Sequence, residues 1–211
     1  MYMTHGICPL STVAIRNSAS QKSEMISQLL FGELVEILER KGRQWVKVRC
    51  GHDNLVGWVA TNQLERITPT EFDTYQDNFA FVLDVFQALA TGDTFLPLTL
   101  GARLPNFDGL QFAIGEKTYN FPGQAVFPKD LAQGPEIIQK IARKFLNAPY
   151  LWGGRSPLGV DGPGLVQVVF GMAGHVLPRE AFQQVEKGEN VDFAEQARPA
   201  DIAFLRTRKG E

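Results

Sequence analysis

Residues 147–167 constrain this chain more than any other stretch. Pro149-Tyr150 opens the run, Gly153-Gly154 and Pro157-Leu158-Gly159 punctuate a loop, and Asp161 stands directly before a helical pattern. Leu165, Val168, Val169 and Met172 then follow at i, i+3, i+4 and i+7, which is one apolar face of a helix. Asp161 is placed to cap that helix by accepting hydrogen bonds from its first free N–H groups. Pro163 falls in the first turn, where a missing N–H costs little. A thiol at position 162 would feel the positive end of the helix dipole and ionise more readily. The residue there is Gly162, which has no side chain.

From Pro149 to Gln167 the run resembles the NlpC/p60 cysteine peptidases of bacterial cell-wall metabolism, whose motif reads approximately P-Y-x-W-G-G-x-S-P-x-G-x-D-C-S-G-L-V-Q. The two departures are Gly162, where the family has its catalytic Cys, and Pro163, where it has a Ser. The resemblance implies no catalytic residue at the nucleophile position. It assigns substrate contact to Asp161, Trp152, Gly153, Arg155 and Ser156. In members that carry an SH3-like module, the Asp before the Cys and the Ser after it help hold the free amine of an L-Ala-γ-D-Glu stem peptide, together with an aromatic residue from the SH3-like module. Here Leu55 stands where that aromatic is expected, and Pro163 has no hydroxyl.

The remaining chain divides by its periodicity. Residues 1–67 hold short runs rich in β-branched and aromatic residues, with turns at Gly32, Gly42 and Asp53-Asn54. They predict a small β-barrel, and the runs Phe31-Gly32-Glu33, Trp45-Val46-Lys47-Val48 and Gly57-Trp58-Val59 resemble a bacterial SH3-like module. Residues 68–130 read as a connector helix over 69–89 and then a second, divergent SH3-like module over 94–126. From residue 131 the period becomes helical: Ile137, Ile138, Ile141, Phe145 and Leu146 mark one helix, and Leu177-Pro178-Arg179-Glu180 opens another. Residues 200–205 read as a buried strand. The fold class is therefore α+β, with SH3-like module(s) before a papain-like NlpC/p60 domain that the resemblance implies is truncated, since its catalytic His lies on a later strand.

Composition bounds the rest. A chain of 211 residues with formal net charge -2 carries no electrostatic footprint for nucleic acid or an anionic membrane. No signal peptide is read over residues 1–16, which makes the cytoplasm the simplest location. Two cysteines and three histidines, scattered without metal-ligand spacing, predict no disulfide framework, no metal and no cofactor. Cys50 and His52 read as a small buried residue beside a turn histidine, Glu33, Glu36 and Glu39 as a solvated face, and His175 as a helix-end residue.

These readings converge on a catalytically inactive relative of a γ-D-glutamyl-L-diamino acid endopeptidase, acting as a murein stem-peptide-binding or interaction module. The alternative is the N-terminal part of a split or truncated hydrolase completed by another chain. An unfinished sheet would favour self-association through the strand near Ile202, with Arg206, Arg208 and Lys209 blunting its edge.

Overall fold

Alternating apolar residues build the first unit, and the computed structural model, which describes residues 4–131 and 134–205, shows how they pair. Seven strands, β1 (His5–Ile7), β2 (Thr12–Arg16), β3 (Met25–Leu30), β4 (Leu34–Lys41), β5 (Trp45–Cys50), β6 (Val56–Ala60) and β7 (Glu65–Ile67), form one sheet in the order β3-β2-β6-β5-β4-β1-β7. Val13 and Ile15 on β2, and Val46 and Val48 on β5, point to one side and are buried with Leu29, Val35 and Val59. This is the period of two that a half-buried strand requires.

Helix α1 (Pro69–Asp77) follows, opened by a capping box in which the Thr68 hydroxyl accepts from Glu71 N–H and the Glu71 carboxylate accepts from Thr68 N–H. The helix expected over 69–89 stops at Asp77. Strands β8 (Phe79–Val82) and β9 (Phe86–Thr91) occupy the rest, because Phe79 to Val82 finds sheet partners on both sides. With β10 (Thr94–Thr99), β11 (Arg103–Pro105), β12 (Gln111–Ile114), β13 (Lys117–Asn120) and β14 (Ala125–Val126), they make three small sheets: β10-β9, β11-β8-β14 and β12-β13. This second β unit shares its core with the first. Val82, Leu89, Leu98, Leu104, Phe112 and Ile114 pack in one cluster with Ile7, Phe31, Leu34 and Ile67.

The last part is α2 (Pro135–Arg143), the short hairpin β15 (Arg155–Ser156) with β16 (Gly159–Val160), α3 (Gly162–Met172) and α4 (Ala181–Gln184). Ile138 and Ile141 of α2, with Phe145 beyond its end, meet Val168, Val169 and Met172 of α3 over Leu30, Phe81 and Leu100 of the β units. The Lys144 ammonium donates to the Leu83 carbonyl at 2.6 Å and pins the end of α2 to the second unit. The protein is thus a mixed helix-and-sheet molecule. The strand expected over residues 200–205 is not formed: the segment is irregular, Phe204 and Leu205 are exposed, and among the described residues no strand pairs with them. Arg206, Arg208 and Lys209 lie outside the described residues. Among the described residues no helix is long and apolar enough to cross a membrane.

Gly32 joins the two β units, with φ of 77° and with its Cα so close to β11 that a Cβ would overlap the Arg103 carbonyl. Arg103 N–H donates to Phe31 O at 2.8 Å across the same junction. Gly32→Ala must absorb both the left-handed backbone and the overlap, so we expect a loss of about 3 kcal/mol or more, read as a lower urea midpoint. A midpoint unchanged from the wild type would show that the junction yields freely.

Candidate functional site

The loop before α3 is built around Asp161. Its Oδ1 accepts from Gly164 N–H at 2.8 Å, which is the expected N-cap, while its Oδ2 accepts from Gly153 N–H at 2.8 Å and from the Arg179 guanidinium at 2.6 Å. Gly153 is required here: φ is 78°, and a Cβ would overlap the Met25 carbonyl of β3. Arg179 is buried, and its Nε donates to Ser27 Oγ at 3.2 Å. Gln184 is buried too and donates to the carbonyls of Pro163 and Pro178, which fastens α4 beside the start of α3. Both oxygens of Asp161 are therefore engaged, and a guanidinium already neutralises its charge.

Arg155 is the second anchor. Its guanidinium forms a two-pronged pair with Glu33, at 2.7 Å and 3.0 Å, and also donates to Gln28 O at 2.7 Å, while its backbone N–H donates to Gln28 Oε1 at 2.9 Å. Arg155 and Glu33 are both 3% exposed. Burial alone would raise the Glu33 carboxyl, but the charges of Arg155 and His52 more than offset it and hold it down at about 2. The expectation that Glu33 belongs to a solvated face is corrected, because docking of the 155 loop covers it. Glu36 and Glu39 do lie towards solvent, with Glu36 paired to Arg49 at 2.9 Å.

The other site residues divide by exposure. Ser156 is buried, and its hydroxyl accepts from Leu158 N–H at 3.3 Å within the hairpin. Trp152 is 61% exposed, and its indole N–H donates to Glu24 at 2.9 Å. Tyr150, Leu151 and Leu158 are exposed near it in the chain. Gly162 begins α3, is exposed, and has nothing within 4 Å of where a Cβ would stand. The position has room for a thiol and carries none. Cys8 and Cys50 are both buried in the core of the first unit, and burial pushes both thiols well up. Leu55 packs against that same core. His175 stands at the far end of α3 from Gly162, its N–H donating to Phe170 O at 2.8 Å.

Cys50 is buried and His52 lies in the turn after β5, as the sequence suggests. Its ring is buried, with Nδ1 3.6 Å from Glu33 and Nε2 3.4 Å from Asp53. Cys50, His52 and Asp53 present donor atoms within 4.8 Å of one another, the group among the described residues that could hold a metal ion. Asp53 is already taken, accepting from Leu55 N–H at 2.9 Å and from the Gln167 amide at 2.8 Å. Sequence reasoning missed Arg179, Glu33, Gln167 and Gln184. Arg179 and Gln184 lay inside a stretch read only as a helix opening, and no local pattern says which polar residues a neighbouring unit will cover.

The comparisons agree with this architecture. Residues 15–64 match the bacterial dipeptidyl-peptidase Sh3 domain, and residues 147–211 match the NlpC/P60 family. The chain is 27% identical over 198 residues to the gamma-D-glutamyl-L-lysine dipeptidyl-peptidase of Bacillus subtilis, covering 88% of this chain and 65% of that protein. It is 28% identical over 183 residues to dipeptidyl-peptidase 6 of Lysinibacillus sphaericus, covering 75% of this chain and 66% of that protein. It thus spans about two thirds of the length of these relatives. The crystal structure of an NlpC/P60 family protein from Bacillus cereus superposes with a TM-score of 0.78 at 18% identity, covering 93% of this chain and 81% of that one, a likeness of fold.

Arg155→Met would leave Glu33 buried without its partner, so we expect a loss of about 3–5 kcal/mol. The pH dependence has a defined sign. A carboxyl lowered on folding from 4.5 to about 2 contributes stability that is complete above pH 4.5 and is lost as the pH falls toward 2. Urea midpoints between pH 5 and 2 should fall more steeply for the wild type than for the Glu33→Gln/Arg155→Met double variant. Parallel profiles would contradict the assignment.

Proposed function

We propose, taking as premise an NlpC/P60 segment that follows a bacterial SH3 domain, that this chain is a catalytically inactive relative of the cell-wall peptide endopeptidases and serves as a murein stem-peptide-binding or interaction module. The observation that carries the reading is Gly162, at the first residue of α3. A cysteine peptidase needs a thiolate in reach of the scissile carbonyl, and this helix start presents backbone N–H groups without one. Neither native cysteine can replace it, because both are buried in the β core with their thiols held protonated.

Binding is supported by what remains around that position. Trp152 offers an exposed aromatic face beside Glu24, and Asp161 with Arg179 brings a carboxylate and a guanidinium together in the same loop network. Asp161 can share an ammonium, so a peptide with a free amine is the chemistry that fits. Arg155, Ser156 and Gly153 shape the loop that holds Trp152. An incoming amine must compete with Arg179 for Asp161, which makes the affinity modest.

A second reading, the N-terminal part of a split or truncated hydrolase completed by another chain, is favoured by one observation. Phe182, Val185, Phe193, Phe204 and Leu205 are all exposed in the last part of the chain. Light scattering at low concentration distinguishes the two readings, since a monomer that binds the peptide by itself supports the first.

The wild type should leave L-Ala-γ-D-Glu-diaminopimelate uncleaved, as read by chromatography of the products, and cleavage would overturn the reading. Gly162→Cys should fold normally and react with a thiol reagent far faster than Cys8 or Cys50, because its thiol is exposed at a helix start. Calorimetry should give a dissociation constant in the millimolar range for the tripeptide, weakened about tenfold by Trp152→Ala. Equal heats for both proteins would remove the binding site from this account.

A further inference from the structure

A cavity of about 50 Å³ lies where the first unit, the second unit and α3 meet, lined by Glu33, His52, Arg103, Arg155 and Gln167 with an apolar wall that includes Val168 and Met172. Several of its buried polar atoms lack a hydrogen-bond partner. The Arg155 side chain is 4% exposed, and although its two terminal nitrogens are committed to Glu33, its Nε has no hydrogen-bond partner. The His52 side chain is 7% exposed, and its ring nitrogens face Glu33 at 3.6 Å and Asp53 at 3.4 Å without a well-aligned hydrogen bond. Gln167 Oε1 is likewise buried and unpartnered.

Arg103 is the decisive group. Its guanidinium lies 4.5 Å from the ring centroid of Phe79 and 5.8 Å from that of Phe81, and its buried Nε finds no acceptor among the described residues. The Glu33 carboxylate is already taken up by the two-pronged pair with Arg155, and Asp53 by Gln167 and Leu55. Stacking on aromatic rings stabilises the cation's faces but gives the in-plane Nε–H nothing to donate to. Arg103 as a whole is half-buried, but a buried donor without an acceptor is costly, and desolvation pushes its guanidinium down.

We propose that this junction cavity is a binding site for a small carboxylate of formate or acetate size, received by Arg103 and completed by donors from Arg155 Nε and the His52 ring. The planar fork of an arginine matches a carboxylate edge with two parallel hydrogen bonds. The volume admits a few heavy atoms and the apolar wall suits a hydrogen or a methyl group, while a tetrahedral dianion has neither the space nor the countercharge. Because the lining comes from both β units and from α3, the bound anion ties the three together, so occupancy raises the stability of the whole chain.

The full chain is melted in sodium formate, acetate, phosphate, sulfate or chloride at equal ionic strength and pH. We expect formate and acetate to raise Tm saturably by about 3 °C over chloride, with phosphate and sulfate matching chloride. Arg103→Gln should abolish the difference. Gly171→Leu fills the cavity mouth from a helix position whose Cβ would meet nothing within 4 Å, leaves Arg103 untouched, and should abolish it as well. No carboxylate-specific shift in the folded wild type, an equal shift from phosphate or sulfate, or a shift retained in Gly171→Leu would each overturn the proposal.

Discussion

The pair between Arg155 and Glu33 is the contact on which the rest of the site depends. Two buried charges are expensive to remove from water, and they persist here because the geometry is two-pronged and Gln28 satisfies further donors of the same arginine. The pair fixes a loop rich in Gly and Pro against β3, where loose backbone would otherwise find little to hold it. Once that loop is fixed, Gly153 N–H falls on Asp161, Asp161 caps α3, and Arg179 closes over the same carboxylate. The SH3-like unit is therefore a wall of the candidate site, built into it by polar contacts.

That arrangement also explains why the site keeps its shape with glycine at its centre. Nothing in the Asp161 network runs through residue 162: the cap goes to Gly164, and α4 is held by Gln184 on Pro163 and Pro178. A side chain at Gly162 would be ornament to the packing, since no atom lies within contact distance of it. A residue without a side chain at such a position leaves the loop and helix intact.

Packing between the units is continuous rather than modular. Phe31 and Leu34 of the first unit lie in one cluster with Leu104 and Phe112 of the second, and Leu30 joins Phe81 and Leu100 beneath α3. Glu33, Arg155 and the ring of His52, at the centre of the three parts, are buried because each part covers the others. Such a junction transmits any change in one unit to the neighbouring ones, since close-packed interiors have few soft directions.

Much of this was legible in the amino-acid sequence. The period of two in Val13 to Ile15 and Val46 to Val48, the cap at Asp161 and the i, i+3, i+4, i+7 face of α3 are local patterns, and local sterics and hydrogen bonding determine them. The glycine at position 162 was equally plain, and with it the absence of a thiol. Other features were not local. Phe79 to Val82 became a strand because sheet partners were available, and residues 200–205 stayed irregular where none pairs with them. Glu33, His52, Arg179 and Gln184 read as ordinary polar residues of strands, turns and helix ends. Burial of a polar side chain is decided by what covers it, and for Glu33 and Arg179 the partners Arg155 and Ser27 lie more than a hundred positions away in the chain.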